Sequence, residues 1–153
     1  MIADFLQNDL FEGIVSKHEF LELNYKNLVQ KKGTALICIH DPAFYFHDEK
    51  ILEGYDDVLQ TEFWDIEGPW GDLDPIEDWQ GLEIKNFILK NKDKKFLIHC
   101  SAGISRSAGV ACAVECLVKY DDLYSYSTSH SSVRAHHRYS PNYKVFDTIV
   151  KNG

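Results

Sequence analysis

The chain has 153 residues, of which 44% are hydrophobic, and we expect one folded domain over residues 1–153. The formal net charge is −8, and residues 41–83 carry fourteen acidic side chains against one basic side chain, so we expect no basic surface for nucleic acid or for an anionic membrane. The chain lacks an apolar run of the roughly eighteen residues that a membrane span needs, and it starts without a secretion-signal pattern. Its four cysteines lack metal-type spacing. We therefore expect a cytoplasmic protein.

The first part of the chain is predicted to contain two strands and a helix between them. Residues 11–16 read as a short strand, and Ser16 with Glu19 forms a capping box, which predicts a helix over residues 17 to about 29. The unbroken apolar run of residues 34–39 is typical of a central strand. The side chains expected on the inward face of the helix are Phe20, Leu21, Leu23 and Leu28.

Apolar patterns and cap residues predict the remaining elements. An aromatic loop, residues 44–46, is expected to cover the core. The strands are predicted over 58–64 and 96–99, and the helices over 76–89, from 107 onward, from 121 or 122 to about 138, and over 141–150 with Ser140 as the cap. The inward face of the 76–89 helix is expected to carry Ile76, Trp79, Ile84, Phe87 and Ile88.

One stretch, FLIHCSAGISRSAG at residues 96–109, combines a strand, a tight loop and a helix start. This layout directs backbone N–H groups and the positive end of a helix dipole at one small volume, which suits a tetrahedral oxyanion. Cys100 ends the strand, and a thiol at a helix N-terminus beside cations can have its pKa lowered to about 3.5–7.5. Arg106 offers a planar fork of donors for two phosphate oxygens. The residues predict a site that binds a phosphoryl group and attacks phosphorus with sulfur.

The segment His99–Ser107 resembles the HC-x5-R-[ST] signature of the cysteine-dependent protein tyrosine and dual-specificity phosphatases. The resemblance is strongest at residues 96–109 and extends over most of the chain from residue 34. The chain as a whole is similar to the compact bacterial or viral form of the family. It implies an α/β fold with a central, mostly parallel sheet of about four to five strands flanked by helices on both sides. It also implies a single phosphatase domain without a cofactor or a metal.

The same resemblance assigns roles to the residues of the motif. Cys100 is expected to be the nucleophile and Arg106 the phosphate clamp, while Ser107 places a hydroxyl near the sulfur and eases loss of the thiolate during hydrolysis. His99 is expected to orient the loop and to point away from the pocket, because neighbouring side chains of a strand face opposite ways. The oxyanion cradle is expected to be the backbone N–H groups of Ser101, Ala102, Gly103, Ile104, Ser105 and Arg106.

A general acid is expected on the loop after the third strand, because the leaving oxygen needs a proton. Asp65 is the preferred candidate, since it follows Trp64 at the end of that strand and precedes Gly68-Pro69. Asp72 is the alternative. Asp74 and Glu67 are weaker rivals, and turn or cap chemistry before the next helix also explains Asp72 and Asp74.

The predicted function is hydrolysis of phosphotyrosine in a protein or peptide, and of phosphoserine or phosphothreonine as further candidates, through a cysteinyl-phosphate intermediate. Two alternatives stay open: a phosphatase for a non-protein phosphate ester, and a catalytically weak phosphate-binding module. Trp64, Trp70 and Trp79 are candidates for an aromatic wall, and Arg134 or Arg138 for support of the loop from behind. No metal is expected at His130, His136 and His137, because no cysteine or carboxylate stands at ligand spacing.

Overall fold

The structure is a computed structural model that describes residues 4–152; residues 1–3 and 153, which the predicted domain includes, lie outside the described part. Its centre is a four-stranded sheet in the order β1-β4-β2-β3, and every neighbouring pair is parallel. The strands are β1 (Phe11–Ser16), β2 (Thr34–His40), β3 (Asp57–Glu62) and β4 (Lys95–Cys100). The predicted mostly parallel sheet of four to five strands is confirmed.

Helices cover both faces of this sheet. On one face α1 packs against β1 and β4, and on the other α3 and α4 pack against α7, with α4 lying on β4 and β1. Within residues 4–152, no helix is both long enough and apolar enough to cross a bilayer. The helices are α1 (Lys17–Tyr25), α2 (Glu49–Leu52), α3 (Asp78–Lys90), α4 (Arg106–Val114) continued by π-helical turns (Glu115–Tyr120), α5 (Leu123–Ser127), α6 (Ser132–Ala135) and α7 (Tyr143–Val150).

The interior strands β2 and β4 are apolar on both faces because helices cover both. Alternate side chains of each strand enter different cores. Phe96, Ile98 and Cys100 lie in the larger core beneath α3, α4 and α7. Leu97, by contrast, lies in the smaller core beneath α1. Two side chains that follow each other along β4 therefore reach opposite sides of the molecule.

The capping box at the start of α1 is confirmed, since the Ser16 hydroxyl accepts from the Glu19 N–H while the Glu19 carboxylate accepts from the Ser16 N–H. The predicted end of this helix is wrong. Helix α1 stops at Tyr25, and Asn27 adopts a left-handed backbone with φ of 54°. Leu28 therefore leaves the inward face and is 61% exposed. Leu21 is also exposed, whereas Phe20 and Leu23 are buried as predicted.

Four other sequence expectations are corrected by tertiary packing. The aromatic loop at residues 44–46 is largely exposed instead of covering the core. Trp79 is 61% exposed because its ring lies on the outer side of α3, where its indole N–H donates to Glu77. The helix predicted to about residue 138 is two short helices, α5 and α6, with Asp122 and Ser131 as their caps. Helix α7 is capped by Asn142, not by Ser140.

Candidate active site

Cys100 and Arg106 stand at the two ends of one loop, which we call the phosphate loop (residues 100–106). Cys100 is the last residue of β4 and Arg106 the first of α4. The Cys100 Sγ atom accepts from the Gly103 N–H at 3.2 Å and lies 3.2 Å from the Ser107 hydroxyl oxygen. The loop therefore curls around the sulfur atom.

The carbonyl groups of the phosphate loop are held from outside it. Three of them accept from backbone N–H groups of other segments: Ser101 from Lys17 at 3.3 Å, Ile104 from Ser140 at 3.0 Å, and Ser105 from Asn142 at 3.0 Å. Among the described residues, the N–H groups of Ala102, Ile104 and Ser105 have no such partner. Carbonyls turned outward leave amide donors for the interior of the loop, which is the arrangement of an anion-binding nest.

Gly103 is required at its position by conformation and by space. Its φ is +71°, in the left-handed region that favours glycine. A Cβ atom there would lie 2.3 Å from the Ser16 backbone nitrogen and 2.4 Å from the Val15 carbonyl carbon. The phosphate loop therefore rests directly on the end of β1, and only a residue without a side chain allows that approach.

Arg106 is held by three contacts of its guanidinium group. The side chain is almost fully buried, and its Nη1 donates to the Phe63 carbonyl at 2.6 Å. Its Nη2 donates to the Ser101 hydroxyl at 3.2 Å and forms an ion pair with Asp41 at 2.7 Å. The buried Nε has no partner among the described residues. Leaving a buried N–H donor without an acceptor costs free energy.

Asp41 is a site residue that no sequence motif indicated. Its carboxylate accepts from the Ser101 hydroxyl at 2.9 Å in addition to pairing with Arg106. Asp41 directly follows β2, the neighbour of β4 in the sheet. The available signal was this position, because polar residues at the carboxyl ends of adjacent parallel strands gather at one edge of a sheet.

Asp65 lies at the rim of the phosphate loop. One carboxylate oxygen, Oδ1, accepts from the Ser105 hydroxyl at 2.9 Å and from the Asn142 side-chain amide at 3.0 Å. Asp65 also lines a cleft of about 390 Å³ beside the loop. The residues that line this cleft are Asp65, Ile66, Glu67, Gly68, Pro69, Trp70, Ser105, Ser140, Pro141 and Asn142. The acid preferred from the sequence thus sits between the loop and an open cleft.

The rival carboxylates are placed differently. Asp72 is exposed in a turn closed by a bridge between Trp70 and Leu73. Asp74 lines a neighbouring cleft, and Glu67 lines both clefts. Among the described residues, neither Asp72 nor Asp74 has a hydrogen bond to the phosphate loop.

Comparisons with known proteins were made by sequence and by structure. No family model and no curated protein matches the sequence. Among solved structures, the active form of Tk-PTP is 19% identical with a TM-score of 0.61, covering 99% of this chain and 97% of that one. The PTP-2 phosphatase of Cydia pomonella is 19% identical with a TM-score of 0.62, covering 97% and 89%. The Yvh1 phosphatase domain from Chaetomium thermophilum is 16% identical with a TM-score of 0.57, covering 95% and 90%.

The chain has the fold of the protein tyrosine and dual-specificity phosphatases. The fold class implied by the motif is therefore confirmed. Within this phosphatase fold, the strand, loop and helix around Cys100 occupy the centre, since β4 is an interior strand and α4 is buried throughout.

His99 lies on the opposite face of the sheet from Cys100, as strand alternation predicts. Its ring stacks on Phe20 of α1 with centroids 4.7 Å apart, and its Nδ1 lies 3.4 Å from the Cys100 carbonyl oxygen. Its Nε2 lies 2.8 Å from Nε2 of His47. These two histidines belong, with Cys38 and His40, to a group of potential metal ligands whose donor atoms all lie within 4.8 Å of one another. No spacing in the sequence indicated this group.

Burial sets the charge of these four side chains. It lowers the pKa of His40 and of His99, and it lowers the pKa of His47 to about 4, so the three imidazoles are neutral near pH 7. Burial raises the pKa of the Cys38 thiol. It also raises the pKa of Cys112 to about 12, and Cys112 and Cys116 are buried in the larger core.

The structure also places the arginines and tryptophans that the sequence suggested as supports or walls of the site. Arg134 donates to the Tyr126 and Ser129 carbonyls, and Arg138 pairs with Glu19, so neither donates to the phosphate loop within residues 4–152. Of the three tryptophans, Trp70 lines the cleft beside Asp65.

Proposed function

We propose that this protein is a cysteine-based phosphatase that hydrolyses phosphotyrosine in proteins or peptides, with phosphoserine and phosphothreonine as further substrates. The observation that carries the proposal is the buried Nε–H of Arg106, which lacks a partner beside a loop in which the N–H groups of Ala102, Ile104 and Ser105 also lack partners among the described residues. A phosphoryl group supplies three acceptor oxygens in one compact group. It would satisfy donors that the protein itself leaves unpaired.

In the proposed first step, the Cys100 sulfur attacks phosphorus and the ester oxygen leaves. The phosphoryl oxygens accept from the loop amides and from Arg106, whose position is fixed by Phe63 and Asp41. Donors fixed before the reaction stabilise the charge of the transition state without reorganisation. The bond from sulfur to phosphorus forms as the bond from phosphorus to the ester oxygen breaks.

Asp65 is proposed to donate a proton to the departing oxygen. Its Oδ1 accepts two hydrogen bonds, which leaves Oδ2 to carry the proton toward the substrate. Asp65 then acts as the base that takes a proton from the water attacking the cysteinyl-phosphate. Ser107, 3.2 Å from the sulfur, is proposed to donate to the thiolate as it leaves phosphorus.

The surroundings of the loop favour a substrate with one phosphate on an aromatic group. The loop interior carries no lysine, the Asp41 carboxylate pairs with Arg106, and the Glu67 carboxylate lines the cleft beside the loop. Repulsion from these carboxylates opposes ligands with several phosphates. The cleft beside Asp65 is bordered by Trp70, whose ring can contact a tyrosine ring.

The test is hydrolysis of para-nitrophenyl phosphate and of a phosphotyrosine peptide by the wild type, by Cys100→Ser and by Cys112→Ser. We expect Cys100→Ser to lower kcat by at least about 10⁴-fold, because the nucleophile is lost. Cys112→Ser, at a buried cysteine in α4, is the matched control and keeps the activity. Mass spectrometry of a rapidly quenched wild-type reaction is expected to find the added phosphate on Cys100.

The outcomes separate the alternatives. Faster hydrolysis of small sugar or nucleotide phosphates than of the peptide would identify a non-protein ester as the substrate. Binding of inorganic phosphate without turnover of any ester would identify a phosphate-binding module. Equal activity of the wild type and Cys100→Ser would refute the proposed mechanism.

A further inference from the structure

The side-chain group on the far face of the sheet from Cys100 has the composition of a metal centre. We call it the histidine cluster: Cys38, His40, His47 and His99. Cys38 and His99 are direct partners in the register of β2 and β4, and His40 follows Cys38 by two residues on the same face. His47 comes from the loop after β2. Three of the four ligands are therefore fixed by neighbouring strands, and the fourth lies on a connection.

Hydrogen bonding defines which ring nitrogens carry protons. The Gln60 side chain is oriented by the backbone of His47, since its Oε1 accepts from the His47 N–H at 2.8 Å and its Nε2 donates to the His47 carbonyl at 3.1 Å. The same Oε1 lies 2.9 Å from Nε2 of His40, and an oxygen can only accept there, so this nitrogen carries the proton. The lone pair of His40 is therefore on Nδ1. That atom is buried and has no donor among residues 4–152.

The same reasoning applies to His99. Its Nδ1 faces the Cys100 carbonyl oxygen, which accepts, so the proton is on Nδ1 and the lone pair is on Nε2. Nε2 of His47 donates to that lone pair across 2.8 Å. Of these two acceptor nitrogens, Nε2 of His99 has the His47 N–H as its donor, whereas Nδ1 of His40 has no donor among residues 4–152.

We propose that the histidine cluster is a zinc site, with Cys38, His40, His47 and His99 as the four ligands of a tetrahedral Zn²⁺. One thiolate with three neutral imidazoles is a donor set that zinc accepts, and a second ligand shell is already present in Gln60 and the Cys100 carbonyl. Zinc binding releases the Cys38 thiol proton to solvent. The His47 proton moves from Nε2 to Nδ1, so His47 stays neutral.

The geometry needs a small adjustment. With Zn–N bonds of about 2.0–2.1 Å and a Zn–S bond of about 2.3 Å, ligand atoms in a tetrahedron lie roughly 3.3–3.6 Å apart. The cluster spans up to 4.8 Å, and the His47 and His99 nitrogens are 2.8 Å apart. Closure requires movements of about 1 Å. His47 is half-buried on a loop and can make such a shift.

The proposed site would brace the strand that carries Cys100. A metal on Nε2 fixes the His99 ring, and Nδ1 of that ring contacts the carbonyl of the next residue. The inference does not depend on phosphatase activity, because metal content and catalysis are measured separately.

The first experiment measures metal binding directly. The full chain, purified without chelators, is analysed for zinc by mass spectrometry and then, after removal of metal, is titrated with Co²⁺ as an optical probe. We expect about one zinc per chain, and a Co²⁺ spectrum with tetrahedral bands and a sulfur-to-cobalt charge-transfer band. Chains without metal that also bind neither Zn²⁺ nor Co²⁺ at micromolar concentrations would overturn the proposal.

Variants identify the ligands. Cys38→Ser is expected to remove the sulfur-to-cobalt band, and His47→Gln, at the half-buried ligand, to weaken zinc binding at least about 100-fold. Cys100→Ser and Cys112→Ser are the matched controls and keep both the band and the stoichiometry. A band that survives in Cys38→Ser but disappears in Cys100→Ser would place the metal at the phosphate loop and refute the site.

If Cys38→Ser does not fold, thermal unfolding of the wild type and of His47→Gln tests whether the histidine cluster binds zinc. Added Zn²⁺ is expected to raise the wild-type Tm and to raise that of His47→Gln much less, because a ligand stabilises only the state that binds it. Equal shifts in both proteins would overturn the assignment of His47.

Discussion

The two faces of the sheet at the end of β4 carry different chemistry on adjacent residues. Cys100 faces the larger core and its sulfur accepts from the Gly103 N–H, whereas His99 faces the smaller core among neutral imidazoles. Within residues 4–152, the Cys100 face leaves donors without acceptors, and the His99 face leaves an acceptor without a donor, on His40. The difference places the proposed anion site and the proposed zinc site back to back on one strand.

This contrast predicts different consequences of substitution on the two faces. Changes on the Cys100 face should alter rates with little effect on stability, because the groups involved face the substrate. Changes on the His99 face should alter stability with little effect on rates. A change in the phosphate loop can alter both rate and stability, since Gly103 of this loop rests on the end of β1.

Gly103→Ala tests that shared contact and is expected to have the largest effect of the four substitutions that compare the two faces. The added Cβ would meet the Ser16 nitrogen at 2.3 Å in a left-handed backbone, so the loop cannot keep its shape. We expect kcat/KM to fall by at least about 10³-fold, since several oxyanion donors are displaced together, and Tm to fall. Gly68→Ala is the matched control, because a Cβ added at Gly68 would meet no described atom within 4 Å. Normal activity in Gly103→Ala would contradict the proposed loop geometry.

Asp65→Asn separates proton transfer from structure on the Cys100 face. Asparagine keeps an acceptor oxygen for Ser105 and Asn142 but cannot donate the proton that the leaving oxygen needs. We expect kcat to fall about 10²-fold for phenyl phosphates with poor leaving groups and much less for good ones. The comparison variant is Asp72→Asn, which should retain wild-type rates. A loss that is independent of the leaving group would remove Asp65 from the acid role.

Asp41→Asn tests the charge beside Arg106. The carboxylate positions Nη2 but also repels a bound phosphoryl group. Removing one negative charge near the phosphate corresponds to roughly 1 kcal/mol at a water-like dielectric, which is about fivefold in affinity. We expect the inhibition constant of inorganic phosphate to fall by about that factor while kcat changes less. Weaker phosphate binding in Asp41→Asn would show that orienting Arg106 matters more than the repulsion.

Glu19→Gln tests α1, the helix whose Phe20 stacks on His99, and is expected to have the smallest effect. Burial raises the pKa of the Glu19 carboxyl, but hydrogen bonds from Arg138 and Ser16 outweigh it, so the folded-state pKa is lowered from 4.5. A lowered carboxyl pKa stabilises the fold above the unfolded-state pKa, and this stability is lost as pH falls through the folded-state value. We expect the variant to lose less than about 1 kcal/mol of unfolding free energy near pH 7, since solvent screens the pair of Glu19 and Arg138. We also expect its unfolding free energy to change less with pH below about 4.5 than that of the wild type. Denaturant titrations of both proteins at pH 7 and pH 4 measure these free energies of unfolding. A change in kcat with unchanged stability would contradict the contrast between the faces.

Much of the fold was predictable because its signals are local. The capping box of α1, the apolar runs of β2 and β4, and the strand, loop and helix around Cys100 depend on residues a few positions apart. Predictions that depended on which face a side chain takes were less accurate. Trp79 matched the apolar period of α3 and yet lies outside, because its polar edge finds Glu77 at the surface.

The sequence by itself determined the chemistry that a short segment can hold, because a thiol, a glycine and an arginine stand within the seven residues 100–106. Only the tertiary structure decided which distant groups join them. Asp41 and Asp65 reach the loop from 60 and 40 residues away, and His47 reaches His99 across 52. The physical reason is that parallel pairing brings together strand ends that are far apart in the chain, and no local pattern records which strands become neighbours.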